Sequence, residues 1–209
     1  MTSPQQLAPA DDLYLAAHDG IGGRLLLSPE VLGVGLGAAL LGELMFWQRV
    51  VLGGDGLRVI DDRPTGDPAT TQVLKRLAAT TGPQAPDRWI AHLSSGPAVA
   101  LIEQRLTLNG VLRRETKRRL LSVESSLVFS DPRSPGQPAG RIRTHLSYNR
   151  TLDTADLMLA GLILATGLDT FVLDTVNPRD RARLSDQFRR NLPQPLHQLV
   201  SYAGAVGVS

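Results

Sequence analysis

A dense run of positively charged side chains is the feature of this 209-residue sequence that most clearly points to a binding chemistry. Five cations stand within seven positions: Arg113, Arg114, Lys117, Arg118 and Arg119. Each cation next to an anionic lipid leaflet is worth about 1 kcal/mol. The run therefore predicts contact with an anionic surface. The alternative is that these residues are solvated and protect a strand edge from aggregation.

The charge of the whole chain is polarised in the same direction. The formal net charge is only +2, but residues 1–104 carry 7 basic and 11 acidic side chains, whereas residues 105–209 carry 15 and 9. A basic half of this kind favours an anionic partner. The basic residues are 20 arginines and only two lysines, a composition typical of proteins encoded by GC-rich DNA. We therefore predict a bacterial source.

The residues that usually carry catalysis or bind metals do not form a recognisable pattern. The sequence has no cysteine, and its four histidines are isolated, with no metal-binding spacing. The serines lack the GxSxG pattern of a nucleophile elbow. We therefore predict that the protein is not an enzyme, and we expect no cofactor and no metal. The absence of cysteine suits a reducing cytoplasm.

An apolar segment at 31–47 contains the GxGxxA pattern of dinucleotide-binding loops, at 33–38. That motif requires a preceding strand, whereas Ser28 and Pro29 here predict the start of a helix. The glycines therefore predict close helix packing. The segment is shorter than the roughly 20 residues of a membrane span, so we predict a buried core helix. Glu43 interrupts it, and we expect this carboxylate to pair with an arginine at the root of the following hairpin.

The same order of predicted elements occurs twice along the chain: a helix, a glycine that ends it and a β-hairpin. The hairpins are predicted around 53–56 and at 111–129, and further helices near 141–150, 153–167 and 179–191. Residues 131–140 are predicted to be a loop. We expect residues 1–10 to be a flexible tail and 11–209 to be a single domain, mainly α, with two β-hairpins.

This order of elements leaves a second functional class open, a winged-helix protein that binds nucleic acid. The helix at 97–108 would then be the recognition helix. It offers only three side chains for reading base edges, Gln104, Arg105 and Thr107. That is little for specific readout, so nucleic acid is the less favoured partner.

Several segments together resemble the Golgi phosphoprotein 3 family. They are GRLLLSPE at 23–30, the LLGEL helix ending in Arg49, PTGDP at 64–68 and GVLRRE at 110–115. The resemblance implies a helical bundle ringed by amphipathic helices, with a projecting hairpin used in self-association and membrane contact. It also implies a peripheral membrane protein that binds phosphatidylinositol 4-phosphate and recruits client proteins. We expect it in the cytoplasm, on the inner face of the membrane.

The phosphoinositide pocket of that family uses one tryptophan and three arginines. Matching the motifs places Ser28 at the tryptophan, and Gly37, Gly96 and Val99 at the arginines. No bidentate donor for a phosphate group is left at these positions. The sequence therefore predicts binding of anionic lipid through the hairpin cations, without specific recognition of that headgroup.

Overall fold

The computed structural model describes residues 8–20, 23–119 and 122–207, with the side chains of 117–125 outside that description. The described residues form ten α-helices and two antiparallel hairpins, which confirms the predicted mainly α fold. The helices are α1 Pro9–Ala16, α2 Pro29–Phe46, α3 Pro68–Ala78, α4 Pro86–Ser94, α5 Pro97–Leu108, α6 Gln137–Ser147, α7 Thr154–Ala165, α8 Asp169–Val172, α9 Pro178–Asn191 and α10 Gln194–Gly207. The strands are β1 Val50–Gly53, β2 Gly56–Val59, β3 Leu112–Arg119 and β4 Ser122–Phe129.

Helix α2 is the centre of the bundle and packs against α1, α3, α4, α5, α7 and α10. It begins where the sequence predicts, because Ser28 caps it by accepting a hydrogen bond from the Val31 backbone N–H, with Pro29 as its first residue. By length and apolar composition α2 could cross a membrane. However, 72% of its residues are buried inside the protein, so α2 is the core helix of this fold, as predicted.

The glycines of α2 allow a close contact with α4. A Cβ atom added to Gly33 would lie 2.5 Å from the Ser94 carbonyl oxygen, and one added to Gly37 would lie 3.0 Å from Leu93 Cβ. Any side chain at these positions would force the two helices apart. The glycine pattern therefore serves helix packing, as predicted, and lies within a helix instead of a nucleotide-binding loop.

The two hairpins occupy their predicted places. In the first, Val50 pairs with Val59, and Gly56 supports the turn with a positive φ of 120°. In the second, Leu112 pairs with Phe129 and Arg119 with Ser122, so all five predicted cations lie along one strand, β3. This second hairpin follows α5 directly.

Three described segments, at 9–10, 137–140 and 194–207, are helical although the sequence does not predict helix there. Helix α1 already begins at Pro9, and Ala10 is buried within the predicted tail. Helix α6 begins at Gln137, inside the predicted loop 131–140. Helix α10 was not predicted, because Pro195 reads as a helix stop. It lies instead in the first turn of α10, where proline costs no hydrogen bond.

Candidate anionic-surface site

The base of the second hairpin is fixed to the helical core. The Val111 N–H donates to the Leu106 carbonyl of α5 at 2.8 Å, and Leu112 is buried. At the other strand, the Phe129 ring packs edge-on against Tyr14 of α1 and against His18, which follows α1, with ring centroids 6.5 and 5.3 Å apart. The hairpin is therefore held by α1 and α5 while its strands extend beyond them.

The first two cations of the predicted site are exposed and point away from each other. Side chains alternate along a strand, so Arg113 and Arg114 lie on opposite faces of β3. Arg113 forms an ion pair with Glu115 at 2.7 Å, but an exposed pair of this kind contributes little free energy. Arg114 has no ion-pair partner within the described residues. Both guanidinium groups are accessible to an anionic partner.

The remaining three predicted cations are described only by their backbone. Lys117, Arg118 and Arg119 continue β3, opposite Glu124, Val123 and Ser122 of β4. Their side chains lie outside the described part of the structure, as do the predicted interfacial residues 120–121. The strand brings the five cations into one element, and their common contact with a surface stays a prediction.

Three large apolar side chains are exposed near the base of this hairpin. Phe46 and Trp47, at the end of α2, are 38% and 50% exposed, and Leu108, in the last turn of α5, is 67% exposed. Phe46 and Trp47 line a cleft of about 650 Å³ together with Val111, which leads directly into β3. The sequence does not mark these residues as a site, because Phe46 and Trp47 end the apolar segment predicted to be a core helix and Leu108 ends the predicted helix at 97–108.

Trp47 is positioned by the chain reversal that follows α2. Gln48 adopts a left-handed conformation with φ of 53°, which turns the chain into β1. Arg49 Nη1 then donates to the Trp47 carbonyl at 3.2 Å and to the Asp61 carboxylate at 2.7 Å. These hydrogen bonds join the end of α2 to the loop after β2, and they hold the backbone of Trp47 in place.

The floor of the cleft is a buried network centred on Arg105. Its guanidinium donates to three carboxylates: Asp11 at 2.7 Å, Glu43 at 2.8 and 3.2 Å, and Asp67 at 3.2 Å. Glu43 also accepts a hydrogen bond from the Ala10 N–H at 2.9 Å. The predicted arginine partner of Glu43 therefore exists but lies on α5. The arginine at the hairpin root, Arg49, pairs with Asp61 instead.

This network holds more negative than positive charge. Burial, together with the charges of Glu43 and Asp67, raises the pKa of Asp11 to about 7 against the opposing effect of Arg105. Burial would lower the pKa of Arg105, but the attraction of Glu43 and its hydrogen bonds outweigh it and raise that pKa. One guanidinium shared by three carboxylates leaves Asp11 able to hold a proton near neutral pH.

Asp12, the residue of α1 that follows Asp11, belongs to a second buried network of arginine and carboxylates. Arg141 donates to Asp12 and to Asp156, both at 2.6 Å. Burial raises the pKa of Asp12 to about 6, opposed by its hydrogen bond with Arg141. Helix α1 is thus clamped by two arginines from different helices, one through each of its adjacent aspartates.

The position of Arg105 changes the interpretation of α5 as a recognition helix. Arg105 is 6% exposed and fully engaged with carboxylates, so it does not present a donor to base edges. Only Gln104 and Thr107 remain of the three side chains proposed for base readout, and the Thr107 hydroxyl donates to the Glu103 carbonyl. This removes the arginine contact that most often specifies guanine.

The four positions matched to the phosphoinositide pocket are structural in this chain. Ser28 caps α2, and Gly37 is buried against α4. Gly96 precedes α5 with φ of 130°, and Val99 packs against the core. None of these residues can supply the indole or the guanidinium groups that the pocket requires.

The described residues form a helical bundle with two antiparallel hairpins, and residues of both hairpins contribute to its core. The family model described as Golgi phosphoprotein 3 (GPP34) matches residues 10–203, nearly the whole chain. The chain belongs to the Golgi phosphoprotein 3 family. No curated protein matches it.

Proposed function

We propose that this protein is a peripheral, adaptor-like membrane protein that contacts anionic lipid with the end of the molecule that carries the second hairpin. One observation carries the proposal: Val111, which leads into the strand β3 with its exposed Arg113 and Arg114, lines the same cleft as the exposed Phe46 and Trp47. Family membership supports a lipid-related or adaptor role and not a catalytic one.

The chemistry of this end suits the interfacial region of a bilayer. Tryptophan is enriched there because its ring is apolar and its indole N–H is polar, and Leu108 adds a further apolar contact. The β3 cations supply attraction of about 1 kcal/mol each near an anionic leaflet. Binding of this kind is reversible and weakens as salt screens the charges.

The lipid is expected to be selected by charge and not by one headgroup. The cleft below Trp47 contains three carboxylates and a single guanidinium, so it is unsuited to a phosphorylated headgroup. The family's pocket positions have lost their donors as well. We therefore place lipid contact on the hairpin and expect phosphatidylserine and phosphatidylglycerol to serve as well as phosphatidylinositol 4-phosphate.

Vesicle flotation tests this proposal. The chain is mixed with phosphatidylcholine vesicles or with vesicles that also contain phosphatidylglycerol, at low and at high salt. We expect flotation only with the anionic vesicles, and less of it at high salt. Duplex DNA in the same buffers provides the competing outcome: salt-sensitive DNA binding without flotation would replace the membrane proposal with the nucleic-acid alternative.

A further inference from the structure

We propose that the groove between α6 and the start of α9 is a binding site for a phosphate monoester. Two adjoining clefts of about 380 and 630 Å³ share the lining residues Ser147, Asn177 and Asp180. Three arginines line them: Arg143 from α6, and Arg179 and Arg183 from α9. The two clefts share no lining residue with the cleft at Trp47 or with the second hairpin, and the inference does not depend on the membrane proposal.

The arginines differ in how far they are already engaged. Arg183 donates to the Leu146 carbonyl at 2.8 Å and lies 3.1 Å from Asp180, so it joins α9 to α6. Within the part of the chain that the structure describes, Arg143 makes a single long hydrogen bond, 3.4 Å to the Val172 carbonyl. The Arg179 guanidinium has no hydrogen-bond or ion-pair partner among the described residues. Two exposed guanidinium groups are therefore available to a ligand.

The walls of the groove are held in place by contacts that do not involve Arg143 or Arg179. Arg181, on the neighbouring face of α9, donates to the carbonyls of Leu173 and Val176 at 2.5 and 3.3 Å. These bonds fix the segment that leads into α9. On the opposite wall, Thr144 and Ser147 of α6 add hydroxyl groups. The groove is thus a formed concavity, in which Arg143 and Arg179 are the arginines least engaged with the protein.

The charge balance of the groove favours an anion. Asp180 is the acidic side chain among the residues that line the two clefts, and both its oxygens are occupied, by Asn177 Nδ2 at 2.8 Å and by Arg183 at 3.1 Å. Three arginines and one compensated carboxylate therefore line the two clefts. The partial positive charge at the start of the 14-residue α9 acts in the same direction. Arginine pairs bind phosphate through parallel N–H donors, which matches a monoester with three terminal oxygens.

A phosphate monoester could be a soluble metabolite or the headgroup of a lipid, and both present the same chemistry. The test uses the ¹⁵N-labelled full chain titrated with inorganic phosphate and with glycerol 3-phosphate, with chloride at equal ionic strength as the reference. The readout is the backbone amide resonance of Arg179 and the Nε resonances of the arginines. In parallel, flotation is measured with vesicles that contain phosphatidic acid.

The variant Arg143→Gln with Arg179→Gln removes the two available guanidinium groups and leaves the Arg183 bonds intact. The matched control is Arg76→Gln with Arg190→Gln, which removes two exposed arginines outside the groove. We expect saturable shifts of the backbone amide at position 179, with a dissociation constant for phosphate that rises at least tenfold in the groove variant and stays the same in the control. A parallel loss of phosphatidic acid flotation identifies a lipid source, and unchanged flotation identifies a soluble one.

The proposal is overturned if neither phosphate compound shifts Arg179 up to about 10 mM, a concentration well above a millimolar dissociation constant. It is also overturned if the groove variant and the control respond alike. The hairpin variant Arg113→Glu with Arg114→Glu separates the two proposals, because it should reduce flotation through the hairpin while leaving the phosphate shifts at Arg179 unchanged.

Discussion

Both terminal nitrogens of the Arg105 guanidinium bind the Glu43 carboxylate, at 2.8 and 3.2 Å, in the interior of the protein. This contact joins α5 to the central helix α2 across 62 positions of the chain. The Nε of Arg105 is left to bind Asp11 of α1, at 2.7 Å. A single side chain therefore fixes the relative placement of three helices beneath the cleft that leads to the hairpin.

Replacing Arg105 with glutamine should destabilise the fold strongly. The substitution leaves Asp11 and Glu43 buried without their cation, and breaking a buried ion pair in this way costs about 3–5 kcal/mol. We expect the free energy of unfolding in urea to fall by that amount. The control is Arg76→Gln on the surface of α3, which should change it by less than about 0.5 kcal/mol. Equal small effects of the two variants would show that the network carries no net stabilisation.

Stability should depend on pH through the two aspartates of α1. Their folded-state pKa values are raised to about 7 for Asp11 and about 6 for Asp12, above the ordinary value near 3.8. Between pH 3.8 and these raised pKa values, the folded chain binds more protons than the unfolded chain. The stability that comes from protonation of the two aspartates is therefore full at low pH and is lost as the pH rises through their folded-state pKa values. We expect the unfolding free energy to be larger at pH 5 than at pH 8, by on the order of a few kcal/mol.

The variant Asp11→Asn tests the origin of that pH dependence. Asparagine keeps an oxygen that can accept the hydrogen bond from Arg105 Nε but cannot titrate. The loss of stability between pH 5 and pH 8, measured by urea unfolding at each pH, should therefore become smaller in this variant. A profile as steep as that of the unmodified chain would assign the dependence to another group.

The glycines of α2 should be intolerant of even one added carbon. The variant Gly33→Ala would place Cβ against the Ser94 backbone carbonyl at 2.5 Å, and backbone atoms cannot move aside as a flexible side chain can. We expect a loss of about 1–3 kcal/mol in thermal or urea unfolding, the usual cost of overpacking.

Gly140→Ala is the matched control for this substitution. Gly140 also lies inside a helix, but its added Cβ would meet only the tip of Arg143, at 4.0 Å. This variant should be neutral or stabilising by about 0.5–1 kcal/mol. If Gly33→Ala were equally harmless, the close approach of α2 and α4 would not be a constraint on the sequence.

Trp47 should contribute to membrane binding without contributing to the fold. The variant Trp47→Ser removes a half-exposed ring beside the hairpin, and Phe171→Ser removes an equally exposed ring on α8 as the control. We expect weaker flotation with anionic vesicles for Trp47→Ser only, with the same helical circular-dichroism signal for both variants. Equal flotation of the two variants would show that Trp47 takes no part in the membrane contact.

The sequence predicts the fold well where local signals agree. Ser28 and Pro29 mark the start of α2, and the glycine-rich turn at 53–56 marks the first hairpin, because capping and turn chemistry are set by neighbouring residues. Helix α10 was missed since its start depends on the position of Pro195 within the first turn. Its burial against α2 and α7 is a tertiary effect that local patterns do not show.

The candidate site divides in the same way. The five cations of β3 are visible as a run, because strand residues are neighbours in sequence. The network of Arg105 joins residues 94, 62 and 38 positions apart, so no local pattern could assign Asp11, Glu43 and Asp67 to one partner. The exposure of Trp47 likewise follows from where α2 ends against the bundle and not from its apolar sequence.

Flotation of the variant Arg113→Glu with Arg114→Glu tests the central claim most directly. The control variant Arg76→Glu with Arg190→Glu changes the net charge equally at exposed positions away from the hairpin. We expect phosphatidylglycerol vesicles to carry the unmodified chain and the control to the top of the gradient, while the hairpin variant stays at the bottom. Flotation of the hairpin variant to the same extent as the control would contradict that claim.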